Sequence, residues 1–261
     1  MSTRPEPRIP ETKRRRADTI AKSEHIMALS KHLTLTRSVL AETLAEATPA
    51  QLDFIERWFQ AEIASREAAK RVRLLKAAGF PADKTLDDYD WNNLTMPADW
   101  GRTQLESLGF IDRHEDLVLY GPVGTGKTHL AIALGRAACR NGIPVRFFTT
   151  SSLVMRLRRA KQDNRLDREL AMIGKARLII LDELGYIPID EEGSRLLFQI
   201  IADSYETRSI IYTTNIEFSG WTRVFGDPNM AAAIIDRTVH HGRLIRFAGD
   251  SYRRRHALMP K

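Results

Sequence analysis

Residues 121–128 read GPVGTGKT, and this stretch decides the fold of the chain. The pattern GxxxxGK followed by Ser or Thr is typical of a loop whose backbone NH groups surround phosphates. The apolar residues VLY at 118–120 precede the loop, and HLAIALGRAACRNG at 129–142 follows with helical spacing and an Asn-Gly stop. A strand, a phosphate loop and a helix in this order predict a P-loop nucleotide-binding core.

The loop also predicts roles for its residues. We expect Lys127 to reach the β- and γ-phosphates of ATP and Thr128 to give its hydroxyl to Mg²⁺. The glycines permit tight turns, and the following helix N-terminus adds partial positive charge. The predicted nucleotide-contacting set is Gly121, Pro122, Val123, Gly124, Thr125, Gly126, Lys127, Thr128 and His129.

A second motif, RLIILDEL at 177–184, predicts the acidic part of the site. Four consecutive apolar residues at 178–181 are typical of a parallel strand covered on both faces. Asp182 then emerges at the carboxyl edge, where ligands of open α/β sheets bind. We expect Asp182 to hold Mg²⁺ through water and Glu183 to act as general base on the attacking water.

Polar residues near the carboxyl end of the chain extend this set. IIYTT at 210–214 predicts another strand, and Asn215 at its end is placed to orient the attacking water. Arginines in IIDR at 234–237 and SYRRR at 251–255 flank a short strand-like segment. Guanidinium groups neutralise charge in phosphoryl transfer, either in their own subunit or in a neighbour, but a solvated basic surface has the same composition.

Together these segments resemble the IstB-like ATP-binding proteins of insertion sequences, a group of the DnaC-like AAA+ ATPases. The resemblance covers most of the chain after about residue 60. The phosphate loop itself is common to many ATPases, whereas the order and spacing of DELGY, EFSGW, DRTVHHG and SYR are specific. The segments that carry the resemblance are 77–91, 121–142, 178–189, 196–209, 213–228, 234–242 and 251–253.

The resemblance implies an ATPase of AAA+ type that uses ATP and Mg²⁺. It places Lys127 and Thr128 in the Walker A motif, Asp182 and Glu183 in the Walker B motif, and Asn215 at sensor 1. It further implies that Arg237 acts as an arginine finger on a neighbouring subunit and that Arg253 is the sensor 2 arginine. The implied catalytic set is Glu183, Lys127, Asn215, Arg237 and Arg253, with Thr128 and Asp182 as the Mg²⁺ ligands. Segment 85–91 resembles the part that wraps the adenine.

The function implied by the resemblance is an ATP-dependent, oligomerising DNA-binding regulator that recruits or stimulates the transposase of the same insertion sequence. A replicative helicase loader is the closest alternative, because it has the same core. A small-molecule kinase fits poorly, since it needs an acceptor pocket and a lid. Ser204 and Thr238 depart from the family pattern, and Ser204 is expected to weaken a contact with DNA or another subunit.

Composition and charge agree with a DNA-handling protein. The 261 residues carry a net charge of +7, which suits a polyanionic partner such as double-stranded DNA. We predict an α/β fold in which a P-loop NTPase core of AAA+ type, with a parallel sheet, follows a small all-helical N-terminal domain. The predicted boundaries are a basic flexible arm at 1–17, the helical domain at 18–80 and the AAA+ ATPase domain at 81–261.

Two further basic segments are candidate DNA contacts. SSLVMRLRRAKQDNRLDREL at 151–170 starts with a serine that can cap a helix and then gathers basic residues. In the DnaC-like ATPases that the chain resembles, the equivalent region carries a helix that lines the inner face of the assembly, so the resemblance favours Arg156, Arg159 and Lys161 as DNA contacts. In the helical domain, Arg66, Lys70 and Arg73 share one predicted helix face. Both faces, like the basic arm, are equally compatible with simple exposure to water.

The remaining features exclude some classes of protein. No stretch approaches the roughly 18 apolar residues of a membrane span, so we expect a cytoplasmic protein with no membrane partner. Cys139 is the one cysteine, which rules out an intrachain disulfide. His240 and His241 are adjacent, but the sequence shows no acidic or thiol residue at ligand spacing, so it predicts no structural metal there.

Overall fold

The computed structural model describes residues 11–87 and 89–255, and among these it describes the side chains of all but residues 11–16, 253 and 255. The chain divides into two compact units, Met1–Lys70 and Arg71–Lys261. The division falls earlier than the predicted boundary near residue 80. Residues 1–10 of the predicted basic arm lie outside the described residues, and a helix begins at Glu11.

The first unit contains helices α1 (Glu11–Leu29) and α2 (Arg37–Glu46) and most of α3 (Pro49–Ala78). The side chains of Ile26, Leu44, Leu52 and Phe59 are buried together and form its core. The chain breaks between α2 and α3, and Pro49 is the first residue of α3. Thr48 N donates to Gln51 Oε1 at 2.8 Å and Gln51 N donates to Thr48 Oγ1 at 3.4 Å, which satisfies two backbone donors at the start of α3.

The second unit alternates strands and helices. Its strands are β1 (Leu94–Thr95), β2 (Asp116–Tyr120), β3 (Val145–Thr149), β4 (Leu178–Leu184), β5 (Ser209–Thr214) and β6 (Gly242–Phe247). Its further helices are α4 (Arg102–Glu106), α5 (Gly109–Asp112), α6 (Lys127–Arg140), α7 (Thr150–Gln162), α8 (Leu166–Ile173), α9 (Glu191–Ser204), α10 (Trp221–Phe225), α11 (Pro228–His240) and α12 (Tyr252–Arg255).

The strands form one six-stranded sheet in the order β1-β6-β2-β5-β4-β3. All neighbours are parallel except β1, which is antiparallel to β6 at the edge. Parallel neighbours need crossover connections, and the helices between the strands supply them. The predicted α/β class with a parallel-sheet core is therefore confirmed.

Helices cover both faces of the sheet. Leu130 and Leu134 of α6 are buried on one face with Ile180, and Leu157 of α7 is buried on the other with Ile179. Alternate residues of β4 thus enter opposite cores, which explains why the strand is apolar at every position from Leu178 to Leu181. This packing leaves the carboxyl ends of the central strands as the place where polar side chains emerge.

The structure corrects the expected cap of segment 151–170 and shows the surroundings of Ser204. Segment 151–170 is not one helix capped by a serine. Thr149 caps α7, because its Oγ1 accepts a hydrogen bond from Ser152 N at 3.2 Å. A turn in which Asn164 has φ 53° separates α7 from α8. Ser204 is 1% exposed and donates to Ile200 O at 2.6 Å, so its hydroxyl is used inside the subunit.

Within the described ranges, none of the helices combines the length and the apolar character needed to cross a membrane.

Candidate nucleotide-binding site

The predicted phosphate-contacting and acidic residues meet at one edge of the sheet. The phosphate loop follows β2, Asp182 and Glu183 lie near the end of β4, and Asn215 follows β5. Because β2, β5 and β4 are parallel neighbours, their carboxyl ends coincide. Ligands of open α/β sheets bind at this edge.

Close packing of its glycines fixes the shape of the phosphate loop. Gly121 and Gly124 have φ values of 152° and 81°. A side chain at Gly121 would collide with the backbone oxygen of Phe247 in β6, and one at Gly124 would collide with Ser251. Glycine is required at both positions, and the loop is held against β6 and the segment that follows it.

Lys127 lies at the centre of the loop and is only 6% exposed. Its Nζ donates to Gly121 O at 2.7 Å and to Pro122 O at 2.6 Å. A buried ammonium group is costly unless it is paired with negative charge or hydrogen-bond acceptors. The lysine therefore places a positive charge inside the loop, where the phosphates of a nucleotide would pair with it.

Asp182 is 4% exposed, and two hydroxyl groups hold its carboxylate. Thr128 Oγ1 donates to Asp182 Oδ1 at 2.8 Å, which joins the loop to β4. Thr213 Oγ1 of β5 donates to the same oxygen. Carboxylate and hydroxyl oxygens are ligands that Mg²⁺ prefers, so Thr128 and Asp182 fit the magnesium site predicted from the sequence.

Glu183 lies beside Asp182 but has a different environment. Its side chain is exposed, and its backbone has φ 60°, a conformation that non-glycine residues rarely adopt. Glu183 N donates to Thr213 Oγ1 at 3.0 Å, so one hydroxyl of β5 contacts both acidic residues. Asn215 is also exposed, one residue after β5. Sequence reasoning missed Thr213, although its place at the end of a predicted strand was visible.

Aromatic side chains of segment 85–91 pack beside the loop. The Tyr89 ring lies 5.2 Å from the His129 ring and 5.1 Å from the Trp91 ring, between centroids. A ring nitrogen of His129 lies 3.0 Å from Thr85 O. Tyr89 Oη is buried and has no hydrogen-bond partner among the residues that the structure describes, and burial raises the pKa of this phenol. An unpartnered buried hydroxyl beside the loop fits a site that accepts a polar ligand.

The segment after β6 also reaches the loop. Tyr252 N donates to Gly124 O at 2.9 Å, which anchors the start of α12 against the phosphate loop. Arg253 follows immediately in this helix, and its side chain lies outside the described residues. The backbone thus brings the predicted sensor 2 position to the nucleotide site.

Arg237 lies at the opposite edge of the sheet. Arg237 is in the last turn of α11, and His241 caps that helix. The backbone oxygen of His241 accepts a hydrogen bond of 2.9 Å from Asp116 N, which lies at the start of β2. The phosphate loop begins at the other end of β2, about 13 Å away at the usual rise per residue. The Arg237 guanidinium lies 5.5 Å from the Phe198 ring centroid and donates to Ala233 O at 2.9 Å.

The candidate DNA contacts on α7 do not share one surface. Arg156 and Arg159 line a surface cavity of about 630 Å³ with Arg165 and Arg168, and Arg156 pairs with Glu169. Lys161 lines a different cavity, and its Nζ lies 2.6 Å from Glu192 Oε1. The structure therefore brings Arg156 and Arg159 together and separates Lys161 from them.

On α3, the side chains of Arg66, Lys70 and Arg73 are all exposed. Arg66 Nε donates to Glu62 Oε1 at 2.6 Å, one turn earlier. The division of the chain assigns Arg66 and Lys70 to the first unit and Arg73 to the second.

Comparison with known proteins agrees with this geometry. Residues 28–259 match the family model of IstB-like ATP binding proteins. The insertion-sequence IS5376 ATP-binding protein of Geobacillus stearothermophilus is 37% identical over 84% of this chain and 87% of its own length. The corresponding IS21 protein of Pseudomonas aeruginosa is 38% identical over 85% of this chain and 84% of its own length.

Among solved structures, the AMPPCP-bound DnaA of Aquifex aeolicus superposes with a TM-score of 0.52 and 18% identity, over 67% of this chain and 53% of that one. A DNA replication initiation factor superposes with a TM-score of 0.51 and 18% identity, over 64% of this chain and 50% of that one. The chain thus spans about half the length of these two initiators, and the likeness concerns the AAA+ fold alone. By its sequence, the chain belongs to the family of IstB-like ATP binding proteins.

Proposed function

We propose that this protein is a Mg²⁺-dependent ATPase whose ATP-bound subunits assemble, bind double-stranded DNA and recruit the transposase of the same insertion sequence. One observation carries the proposal. Lys127, Thr128 and Asp182 gather at the carboxyl edge of the sheet, whereas Arg237 lies at the amino edge. An arginine that serves the nucleotide site from that edge has to belong to a neighbouring subunit.

Each residue of the nucleotide site has a distinct task in this proposal. Lys127 neutralises phosphate charge, and Thr128 and Asp182 hold Mg²⁺, which when bound neutralises charge on the phosphate oxygens. Glu183 accepts the proton of the attacking water, and its exposed side chain stands next to the buried Asp182. Asn215 orients that water, and Arg253 contacts the γ-phosphate of its own subunit.

Hydrolysis requires a second subunit in this scheme. Arg237 of one subunit reaches the γ-phosphate held by the next and neutralises the charge that develops there. Since one face of each subunit supplies the loop and another supplies the arginine, the contacts are head-to-tail and build a ring or a filament. ATP thereby favours assembly, and hydrolysis reverses it.

The DNA contacts are assigned to α7 and its neighbourhood. Arg156 and Arg159 line the same cavity as Arg165 and Arg168, which concentrates positive charge on one surface. Such a surface suits the phosphate backbone, because neutralising phosphates releases condensed counterions. Lys161 contributes less, since it lines a different cavity, beside the acidic residues Glu191 and Glu192. Arg66, Lys70 and Arg73 of α3 add further exposed positive charge.

The transposase is proposed as partner because the relatives are named for insertion sequences. In such a unit, one protein cuts and joins DNA, and an ATP-switched DNA-binding protein can select where this happens. Nucleotide state would then decide whether target DNA is available to the transposase.

Sedimentation of the purified protein with a long DNA duplex tests this function. We expect large complexes when DNA and a non-hydrolysable ATP analogue are both present. We expect no such complexes when the analogue is replaced by ADP or left out. Glu183→Gln should form the same complexes with ATP itself and hydrolyse it at least about 100-fold more slowly, because it lacks the general base. Glu191→Gln, the same change at an exposed acid of α9, is the control.

The outcome that contradicts the proposal is equally clear. A protein that stays monomeric with every nucleotide and ignores DNA at low salt is not an ATP-switched DNA-binding assembly. Normal ATP turnover by Glu183→Gln would reject the general base while leaving the assembly hypothesis open to the sedimentation result.

A further inference from the structure

Glu206, His240 and His241 form a cluster at the amino edge of the sheet, away from the nucleotide site. One ring nitrogen of each histidine and one Glu206 carboxylate oxygen all lie within 4.8 Å of one another. His241 Nε2 lies 3.0 Å from Glu206 Oε1, and the two imidazole centroids are 4.5 Å apart. The fold thus supplies the acidic companion that the sequence alone did not reveal.

Local structure positions all three side chains. Glu206 lies in the turn after α9 and has φ 56°, a strained conformation for a residue with a side chain. His240 is the last residue of α11, and His241 caps that helix. His240 Nδ1 lies 2.9 Å from Tyr205 Oη, a contact that orients the imidazole ring. Hydrogen bonds of this kind fix the ring orientation and tautomer of metal-bound histidines in proteins.

The donor set points to a particular class of ion. Two imidazole nitrogens and one carboxylate oxygen are ligands of Zn²⁺ and related transition metals, whereas Mg²⁺ prefers oxygen ligands alone. Two ligand atoms on a tetrahedral Zn²⁺ ion lie about 3.4 Å apart at usual bond lengths. Small side-chain rotations would bring the three donors to that spacing, since Glu206 and His240 are exposed.

We propose that Glu206, His240 and His241 bind a divalent transition-metal ion of the Zn²⁺ class. The ion bridges the turn after α9 and the end of α11, and three protein ligands leave a fourth position for water. Arg237 lies one turn before His241, and its guanidinium is 6.0 Å from the Tyr205 ring centroid. The ion therefore stabilises the helix end that carries Arg237.

A simple ion pair between His241 and Glu206 is the competing explanation. The ion pair needs no metal, so it predicts that added Zn²⁺ neither binds at micromolar concentrations nor raises Tm. The metal site predicts both effects, and it predicts that they are lost together when a ligand is changed.

The test is zinc binding by the full-length, tag-free chain after treatment with a chelator. Isothermal titration with Zn²⁺ near neutral pH should give one ion per chain, together with a rise in Tm. His241→Asn and Glu206→Gln should each weaken binding at least about tenfold. His25→Asn is the matched control, because His25 lies 3.4 Å from Glu56 but belongs to no three-ligand cluster among the described residues.

Two results would overturn the proposal. One is the absence of Zn²⁺ binding at micromolar concentrations by the wild-type chain. The other is equal binding by wild type, His241→Asn and Glu206→Gln, which would place the ion elsewhere. Tm values measured without metal establish that each variant is folded, and Co²⁺ absorption spectra report tetrahedral nitrogen and oxygen coordination independently of the titration.

Discussion

At the scale of single residues, Thr213 links the side chain of Asp182 to the backbone of Glu183 in the nucleotide site. Its hydroxyl donates to Asp182 and accepts from Glu183 N at 3.0 Å. Removing the hydroxyl leaves a buried carboxylate with one fewer donor and frees the strained backbone of Glu183. Thr213 is thus a positioning residue, since it acts through Asp182 and Glu183.

Thr213→Val should lower kcat for ATP hydrolysis by about 10- to 100-fold, the range typical of residues that orient metal ligands. The KM for ATP should change little, because Lys127 and the loop are intact. Thr213→Ser keeps the hydroxyl and should restore most of the activity. Steady-state kinetics check this, and an equal loss of kcat in both variants would contradict a role that depends on the hydroxyl alone.

Asp116 gives the fold a pH dependence. Burial raises its pKa to about 8, even though its carboxylate accepts a hydrogen bond from Ile210 N at 2.7 Å, which acts in the opposite direction. The folded protein therefore keeps a proton that the unfolded chain releases near pH 4. Between about pH 4 and pH 8, the free energy of unfolding should fall as pH rises.

Asp116→Asn should flatten this part of the stability profile, because the amide does not titrate. Urea unfolding at several pH values between 5 and 8 measures it, relative to wild type at each pH. Asp112→Asn, at an exposed carboxylate paired with Arg177, is the control and should leave the profile unchanged. If the free energy of unfolding changes with pH in the same way for wild type and Asp116→Asn, the raised pKa of Asp116 is contradicted.

Some of these residues could be predicted from the sequence and others could not. Lys127, Thr128, Asp182 and Glu183 belong to motifs whose spacing along the chain is fixed, so their meeting was predictable. The role of Thr213 depends on the register between β5 and β4, which no local pattern specifies. The same holds for Glu206, which approaches His241 only because the turn after α9 and the end of α11 lie side by side.

At the scale of elements, α7 determines which basic residues share a surface. The sequence predicted one helix over 151–170, but Thr149 caps α7 and the turn at Asn164 separates it from α8. The helical periodicity was correctly recognised. The break depends on a left-handed backbone conformation, which asparagine adopts readily. The break brings Arg165 and Arg168 to the cavity that Arg156 and Arg159 line.

The double variant Arg156→Gln/Arg159→Gln should weaken DNA binding and reduce the salt slope of the binding constant by up to about 1.8, from two lost phosphate contacts. Lys161→Gln should have a much smaller effect, because Lys161 lines a different cavity, beside Glu191 and Glu192. Fluorescence anisotropy with a labelled duplex at several salt concentrations measures both. Equal effects of the two changes would contradict the separation of these surfaces, and ATP binding by each variant serves as the control for folding.

At the scale of the whole molecule, the sheet separates the two halves of the proposed catalytic apparatus. The loop and the acidic residues lie where β2 and β4 end, and Arg237 lies beside the start of β2. Family resemblance predicted that Arg237 acts on a neighbouring subunit. The parallel pairing of β6 with β2 supports this proposal, because it places the end of α11 at the amino edge of the sheet.

The most direct test of this central claim is complementation between two inactive variants. Lys127→Ala lacks the phosphate-binding lysine and Arg237→Ala lacks the arginine, and each alone should hydrolyse ATP at background rate. In mixtures, an Arg237→Ala subunit with an intact loop can receive Arg237 from a Lys127→Ala neighbour. The account predicts that ATPase activity reappears in the mixture and peaks near equal amounts of the two variants. If both variants are folded and able to assemble, no recovery of activity at any ratio would contradict an active site completed by the neighbouring subunit.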